Sequence, residues 1–217
     1  MGGRNISWRP LVAVAGLLTF VGGAMHPDAS AANLPLRANF ASMMANGSWV
    51  PGHLIMTVGG AFLLGGVVLA RRDWPLSDAL LRLALVAAVL NLVELVIHTA
   101  VVVDEAALRA GETHVLTALH LAGSGISYPL FGITVAILAW RLAGAWSRPL
   151  WVVSAVGIIG GICNALSTTL ALLTGDSNYG FLFPVAGISI SVWLFVLGVA
   201  GLRFDRSAKT AVAPSPA

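Results

Sequence analysis

Six long apolar stretches limit what this chain can fold into more than any other feature. Each has about the 20 mainly apolar residues that an α-helix needs to cross the hydrocarbon core of a bilayer. Backbone groups in lipid must be hydrogen-bonded within the protein, which only helices and closed barrels achieve. The pattern predicts an all-α bundle with six transmembrane spans, at residues 10–26, 52–70, 79–103, 115–140, 150–173 and 179–202.

The composition supports the same class of protein. Only 10% of the 217 residues are charged and 58% are hydrophobic, whereas about a quarter of the residues in a soluble domain are charged. The lipid bilayer is therefore the predicted partner. The sequence pI of about 9.8 does not indicate nucleic-acid binding, because the basic residues lie at the ends of the spans and form no patch.

The basic residues predict the orientation in the membrane. If both termini share one side, ten of the twelve Lys and Arg residues lie there, and only Arg37 and Arg109 lie on the other. Cytoplasmic loops carry such an excess. We therefore expect cytoplasmic termini, one domain over 1–203 and a disordered cytoplasmic tail over 204–217. The expected location is a bacterial plasma membrane, and the use of one Lys against eleven Arg is typical of a GC-rich genome.

The first span has two interpretations. Arg4 and Arg9 followed by a short apolar run and Ala29-Ser30-Ala31 also fit a secretory signal peptide with its cleavage site. We favour a retained helix because the run just reaches spanning length. Cleavage would leave five spans and remove His26.

The loop between the first two spans, taken here as an outer loop, is the longest. Within it, "PLRANFASMMA" places Leu36, Phe40, Met43 and Met44 on one helical face. This spacing fits a short helix lying on the outer membrane surface, and a flexible loop fits the composition equally well.

Small residues predict close helix contacts. Gly157 and Gly161 form a GxxxG pattern in span five, and such patterns let helix backbones approach one another in lipid. This face is a candidate for association between copies of the chain. Pro129 should kink span four and free a backbone carbonyl one turn earlier.

Polar residues inside the spans are the candidates for a site. Asn91, Glu94 and His98 share one face of span three, and His120 lies inside span four. An ionised carboxylate at that depth costs at least about 2.5 kcal/mol, so Glu94 needs a partner. His98, one turn away on the same face, is the first choice and His120 the second. All five histidines fall in the outer half or at the surface. The remaining polar network comprises Asn91, Ser124, Asn164 and Ser167, and the depth of Asn164 would let it meet Glu94.

Three interpretations of this cluster stay open. The polar residues are interhelical hydrogen-bonding contacts. Alternatively, Glu94, His98 and His120 bind a transition metal, with His53 or His26 as a further ligand, or two histidines bind haem. In the third, Glu94 and the histidines carry protons in a small proton-coupled transporter. No nucleophile–base pair can be named from the spacing, so we do not expect an enzyme.

The layout resembles that of a large group of uncharacterised six-helix bacterial integral membrane proteins. The resemblance covers most of residues 10–203 and rests on the long first outer loop, the inner turn "RRDWPL" and the closing pair "RPLWVVSAVGIIGGICNALSTTLALL" and "GISISVWLFVLGVAGLR". It implies the six-helix fold and no activity, cofactor or site.

Overall fold

The computed structural model describes residues 7–27, 36–71, 73–74, 76–112, 114–144 and 150–200. These residues are helical with no strand, and six of the helices are long and apolar enough to cross a membrane. The predicted fold class is confirmed. The six spanning helices are α1 (Trp8–Met25), α3 (Trp49–Ala70), α4 (Asp78–Ala100), α6 (Val115–Ala143), α7 (Trp151–Thr174) and α8 (Leu182–Ala200), and two short helices are α2 (Leu36–Met44) and α5 (Glu105–Arg109).

Two ends of the predicted spans form 3-10 turns and not α-helix. The third span is α-helical only to Ala100 and continues through a 3-10 turn at Val101–Asp104 into α5. The sixth begins with a 3-10 turn at Ser177–Phe181 before α8. Both changes lie at the end of the bundle where α1 ends and α3 begins, which we call the histidine end. The predicted tail and the Ala29-Ser30-Ala31 motif lie outside the described residues.

The six spans pack as a closed ring. Each packs against the next in chain order, and α8 returns to pack against α1. The apolar core lies at the end of the ring opposite the histidines, where Trp8 and Trp74 meet edge to face at 5.4 Å beside buried Leu142, Trp193 and Leu197. Apolar side chains on the outside of the ring, such as Val86, are half exposed, as expected for a surface that faces lipid.

Glycines set the closest contacts in the ring. A Cβ atom on Gly161 would lie 2.4 Å from the carbonyl oxygen of Gly132, and one on Gly157 would lie 2.6 Å from the Trp193 ring. The predicted GxxxG face of α7 is therefore occupied by α6 and α8 of the same chain. Association between copies through this face stays an untested prediction.

The apolar segment in the first loop is a helix, α2, and it does not lie freely on a membrane surface. Its residues Phe40, Ala41 and Met44 are buried against a cluster that includes Trp49 and Val101. Phe40 and Met44 of the predicted apolar face are thus turned onto the histidine end of the bundle.

Candidate metal centre

Four of the five histidines come together at the histidine end. His26 follows α1, His53 lies near the start of α3, His98 near the end of α4 and His120 near the start of α6. The C-terminal ends of α1 and α4 and the N-terminal ends of α3 and α6 lie at this end of the bundle. Residues far apart in sequence are therefore neighbours there. The ring centroids are 4.1 Å apart for His98 and His120, 4.4 Å for His53 and His98 and 4.8 Å for His26 and His53.

The fifth histidine, His114, lies apart from this cluster. Its side chain is 54% exposed, and its carboxylate neighbours are Glu112 and Asp104. It therefore provides a natural control for experiments on the other four.

Glu94 lies among the imidazoles and is 1% exposed. Its Oε1 atom accepts a hydrogen bond from Nδ1 of His120 at 2.6 Å, whereas Nδ1 of His98 is 3.7 Å away. The helical spacing predicted His98 as the first partner of Glu94, and this ranking was wrong. His98, four residues further along the same helix, is too far from the carboxylate for a hydrogen bond. His120 reaches it from the neighbouring helix α6.

Hydrogen bonds fix the tautomers of two rings. Nδ1 of His53 donates to the Trp49 carbonyl at 2.6 Å, and Nδ1 of His26 donates to the Pro27 carbonyl at 2.6 Å. A carbonyl oxygen only accepts, so each Nδ1 carries the proton and each neutral ring leaves a lone pair on Nε2. Burial lowers the pKa of His26, against the opposing effect of its hydrogen bond to Pro27, which favours this neutral form.

Three buried atoms of the cluster have no hydrogen-bond partner among the described residues. They are Nε2 of His53, Nε2 of His98 and Oε2 of Glu94. Buried polar side-chain atoms in proteins are nearly always hydrogen-bonded, and an exception calls for an explanation such as a bound ion or a functional role. All three atoms belong to side chains that are potential metal ligands.

The cluster contains two overlapping sets of three potential ligands. One is His26, His53 and His98, and the other is Glu94, His98 and His120; within each set the ligand atoms lie within 4.8 Å of one another. His98 belongs to both sets. Imidazole and carboxylate together suit a first-row transition metal, and an ion drawn to His98 can take its remaining ligands from either set.

Aromatic side chains enclose the cluster. The Trp49 ring lies 4.1 Å from His53 and 5.0 Å from His98, and Phe40 of α2 stacks on His120 at 5.1 Å. Sequence reasoning missed both residues, since their contribution depends on how α2 folds back over the bundle. The close packing leaves no gap between the rings of His98 and His120 for a planar macrocycle, which disfavours a haem held between them.

Polar contacts outside the cluster position its helices. Oδ2 of Asp104 accepts from the backbone N–H of Thr117 at 2.8 Å and from the Thr117 hydroxyl at 2.9 Å. Asp104 thereby caps the first turn of α6 and ties it to the extension of α4. This contact holds His120 opposite Glu94.

Tyr128 connects the cluster to the predicted polar network. Its hydroxyl is 2.9 Å from Nδ1 of His98, and its backbone carbonyl accepts from Nδ2 of Asn164 at 2.9 Å. Tyr128 was missed by sequence reasoning, although it follows His120 by eight residues and so shares its helix face. The similar depths of Asn164 and Glu94 had suggested that these two residues meet. The Asn164 amide instead donates to the Tyr128 carbonyl.

The other members of the predicted network bond locally. The Ser167 hydroxyl donates to the Asn164 carbonyl, and the Ser124 hydroxyl donates to the Leu121 carbonyl. Asn91 lines an internal cavity. None of these three contacts the imidazole cluster through a described hydrogen bond.

Comparisons with protein-family models, with curated proteins and with solved structures find no match to this chain.

Proposed function

We propose that this protein binds a transition-metal ion within the membrane, through the histidines that surround His98. The observation that carries the proposal is the set of three buried ligand atoms without partners, on His53, His98 and Glu94. A purely structural network favours satisfied polar groups, because each unpaired buried atom costs about 1–3 kcal/mol. A metal ion bound by either set would take His98 as a ligand together with His53 or with Glu94.

The charges of the side chains in the cluster favour the binding of a cation. The cluster holds one carboxylate, on Glu94, among four imidazoles, and a coordinating imidazole is neutral. An ionised carboxylate is costly at this depth, and a divalent ion would compensate its charge. The hydrogen bond from Nδ1 of His120 to Glu94 also matches the carboxylate–histidine pairs that orient metal ligands.

The transport alternative has weaker support. It requires Glu94 to exchange protons with water, yet Glu94 is 1% and the His120 side chain 8% exposed. We therefore favour metal binding.

Elemental analysis of the detergent-purified protein tests the proposal. We expect zinc, iron or copper at close to one ion per chain, lost in His98→Ala because His98 belongs to both ligand sets. His53→Ala and His120→Ala separate the sets, since the variant that loses the metal identifies the set in use. His114→Ala is the matched control and should retain the ion.

Wild-type protein free of metal after purification without chelator would overturn the proposal. Equal metal content in wild type and His98→Ala would overturn it too, because the ion would then lie elsewhere.

We also infer that both termini face the cytoplasm of a bacterial plasma membrane, on the strength of the ten-to-two distribution of Lys and Arg. A Cys163→Ala background removes the one natural thiol and allows labelling of single cysteines in intact cells. An impermeant thiol reagent should label Glu112→Cys, between α5 and α6, and should reach Gly144→Cys, after α6, only once the cells are permeabilised. The reverse pattern would invert the topology.

A further inference from the structure

A cavity of about 560 Å³ lies in the centre of the helix ring, next to the histidine cluster. All six spanning helices contribute to its lining. The volume lies within the range of about 300–1,000 Å³ that is typical of small-molecule sites. Nothing in the proposed metal centre requires a space of this size.

The cavity has a polar end and an apolar body. His26, His98, Asn91, Asn164 and Tyr128 form the polar end, and two of them, His26 and His98, are also candidate metal ligands. Nε2 of His98 is one of the buried atoms without a partner. The body is lined mainly by aliphatic and aromatic side chains, among them Phe20, Phe131, Phe181 and Phe183.

Charged residues are missing from the lining. No Asp, Glu, Lys or Arg is among the described residues that form the cavity wall. A phosphate head group would therefore meet no cation there, although anionic groups in proteins are bound mainly by Arg, Lys and helix N-termini. The lining favours a neutral molecule over a phospholipid.

The cavity opens sideways between α1 and α8. Away from the histidine end these helices are in tight contact, since a Cβ atom on Gly198 would lie 2.4 Å from the backbone nitrogen of Ala13. Toward the histidine end there is open space beside both helices, since a Cβ atom on Gly23 or Gly187 would have no neighbour within 4 Å. Both glycines line the cavity. Phe181, which also lines the cavity, is 56% exposed.

We propose that the cavity binds a neutral, flat, lipid-soluble molecule with oxygen substituents, of the quinone or quinol class, which enters from the bilayer between α1 and α8. The ring of such a molecule fits among the phenylalanines, and its oxygens meet the amides and the tyrosine and histidine groups at the polar end. Its apolar tail leaves through the gap toward lipid.

This proposal does not depend on the metal. The lining and the gap are present in the chain without any ion, so binding can be measured on chelator-treated protein. Metal content, determined on the same samples before treatment, reports separately on the metal proposal.

The probe is a photoreactive azidoquinone with a ten-carbon tail, crosslinked to the detergent-purified protein and mapped by peptide mass spectrometry. We expect saturable labelling of peptides that contain Asn91 or Asn164. Gly23→Leu and Gly187→Leu, which place a side chain in the open space of the gap, should weaken binding at least about tenfold, equivalent to 1.4 kcal/mol. Gly144→Leu is the control, because its position is equally open but lies in the loop after α6, and it should bind like wild type.

Removing a polar group tests the orientation. Asn91→Leu, nearly equal in size, should weaken labelling without lowering the unfolding temperature. Labelling that does not saturate, or that is the same in the Gly187→Leu and Gly144→Leu variants, would overturn the proposal. Displacement of the probe by an anionic phospholipid as readily as by an unlabelled quinone would overturn it as well, since the site would then be a lipid site.

Discussion

Glu94 is an ionisable residue inside a membrane-spanning helix, where a charged side chain is costly. Its carboxylate is buried, and one oxygen accepts from His120 while the other lacks a described partner. The Tyr128 hydroxyl also interacts with this carboxylate, but no hydrogen bond of good geometry from the described residues reaches Oε2. The residue therefore stabilises the bundle less than its burial would suggest, unless an ion completes its coordination.

Glu94→Gln separates charge from shape at this position. The amide oxygen can still accept from His120, but the negative charge is gone. Since such changes near a metal typically cost 10- to 100-fold in affinity, we expect metal affinity to fall by about that factor, measured by competition with a chromophoric chelator. Glu112→Gln, at an exposed carboxylate, should leave the affinity unchanged. Unaltered affinity in Glu94→Gln would show that the charge plays no part.

The candidate residues could be predicted from the sequence, but their pairing could not. Helical spacing brought Glu94 and His98 onto one face, and the alternation of the spans brought His26, His53 and His120 to the same end. The ring places α6 between α4 and α7, which keeps Asn164 away from Glu94, and the rotation of α6 about its axis turns His120 toward the carboxylate. Because α6 carries apolar residues on all of its faces, the sequence gives little information about that rotation.

At the scale of helices, backbone contacts between glycines determine how α6 and α7 pack. Gly132 and Gly161 face each other with carbonyl oxygens at distances that exclude a Cβ atom. In lipid, where no hydrophobic effect drives association, such close packing is a main source of stability. The contact fixes the distance between Tyr128 on α6 and Asn164 on α7, and through it the position of His98.

Gly132→Ala should destabilise the bundle. The added methyl would lie 2.4 Å from the Gly161 carbonyl oxygen and 2.6 Å from the backbone nitrogen of Ala165, so the two helices must separate. Overpacking of this kind costs about 1–3 kcal/mol, which should lower the unfolding temperature in detergent. Gly187→Ala, where the methyl meets open space, is the control. Equal unfolding temperatures would mean that this contact adds little to stability.

On the scale of the whole molecule, the ring closes only because α1 packs against both α3 and α8. α1 also supplies one wall of the cavity, through residues such as Thr19 and Phe20, and is followed by His26. The number of spans was predictable from hydropathy. The closure of the ring was not, since it depends on glycine contacts between the first and last spans that no local pattern identifies.

An epitope tag placed before α1 should remain on the mature membrane protein. The first span would be lost if it were a signal peptide, but its glycines fit tightly against α3 and α8, as a permanent helix requires. Immunoblotting of purified membranes for an N-terminal and a C-terminal tag checks this. Loss of the N-terminal tag alone would mean that the ring is completed without α1 and that His26 is not a ligand.

The pairing of Glu94 with His120 also has a consequence for how the chain enters the membrane. Synthesis delivers α4 before α6, so for a time α4 carries its carboxylate without its partner. The apolar residues that surround Glu94 in α4 must offset an insertion penalty of about 2.5 kcal/mol or more for the charge. We expect α4 and α6 to leave the insertion machinery as a pair, with biogenesis slowed wherever His120 is absent.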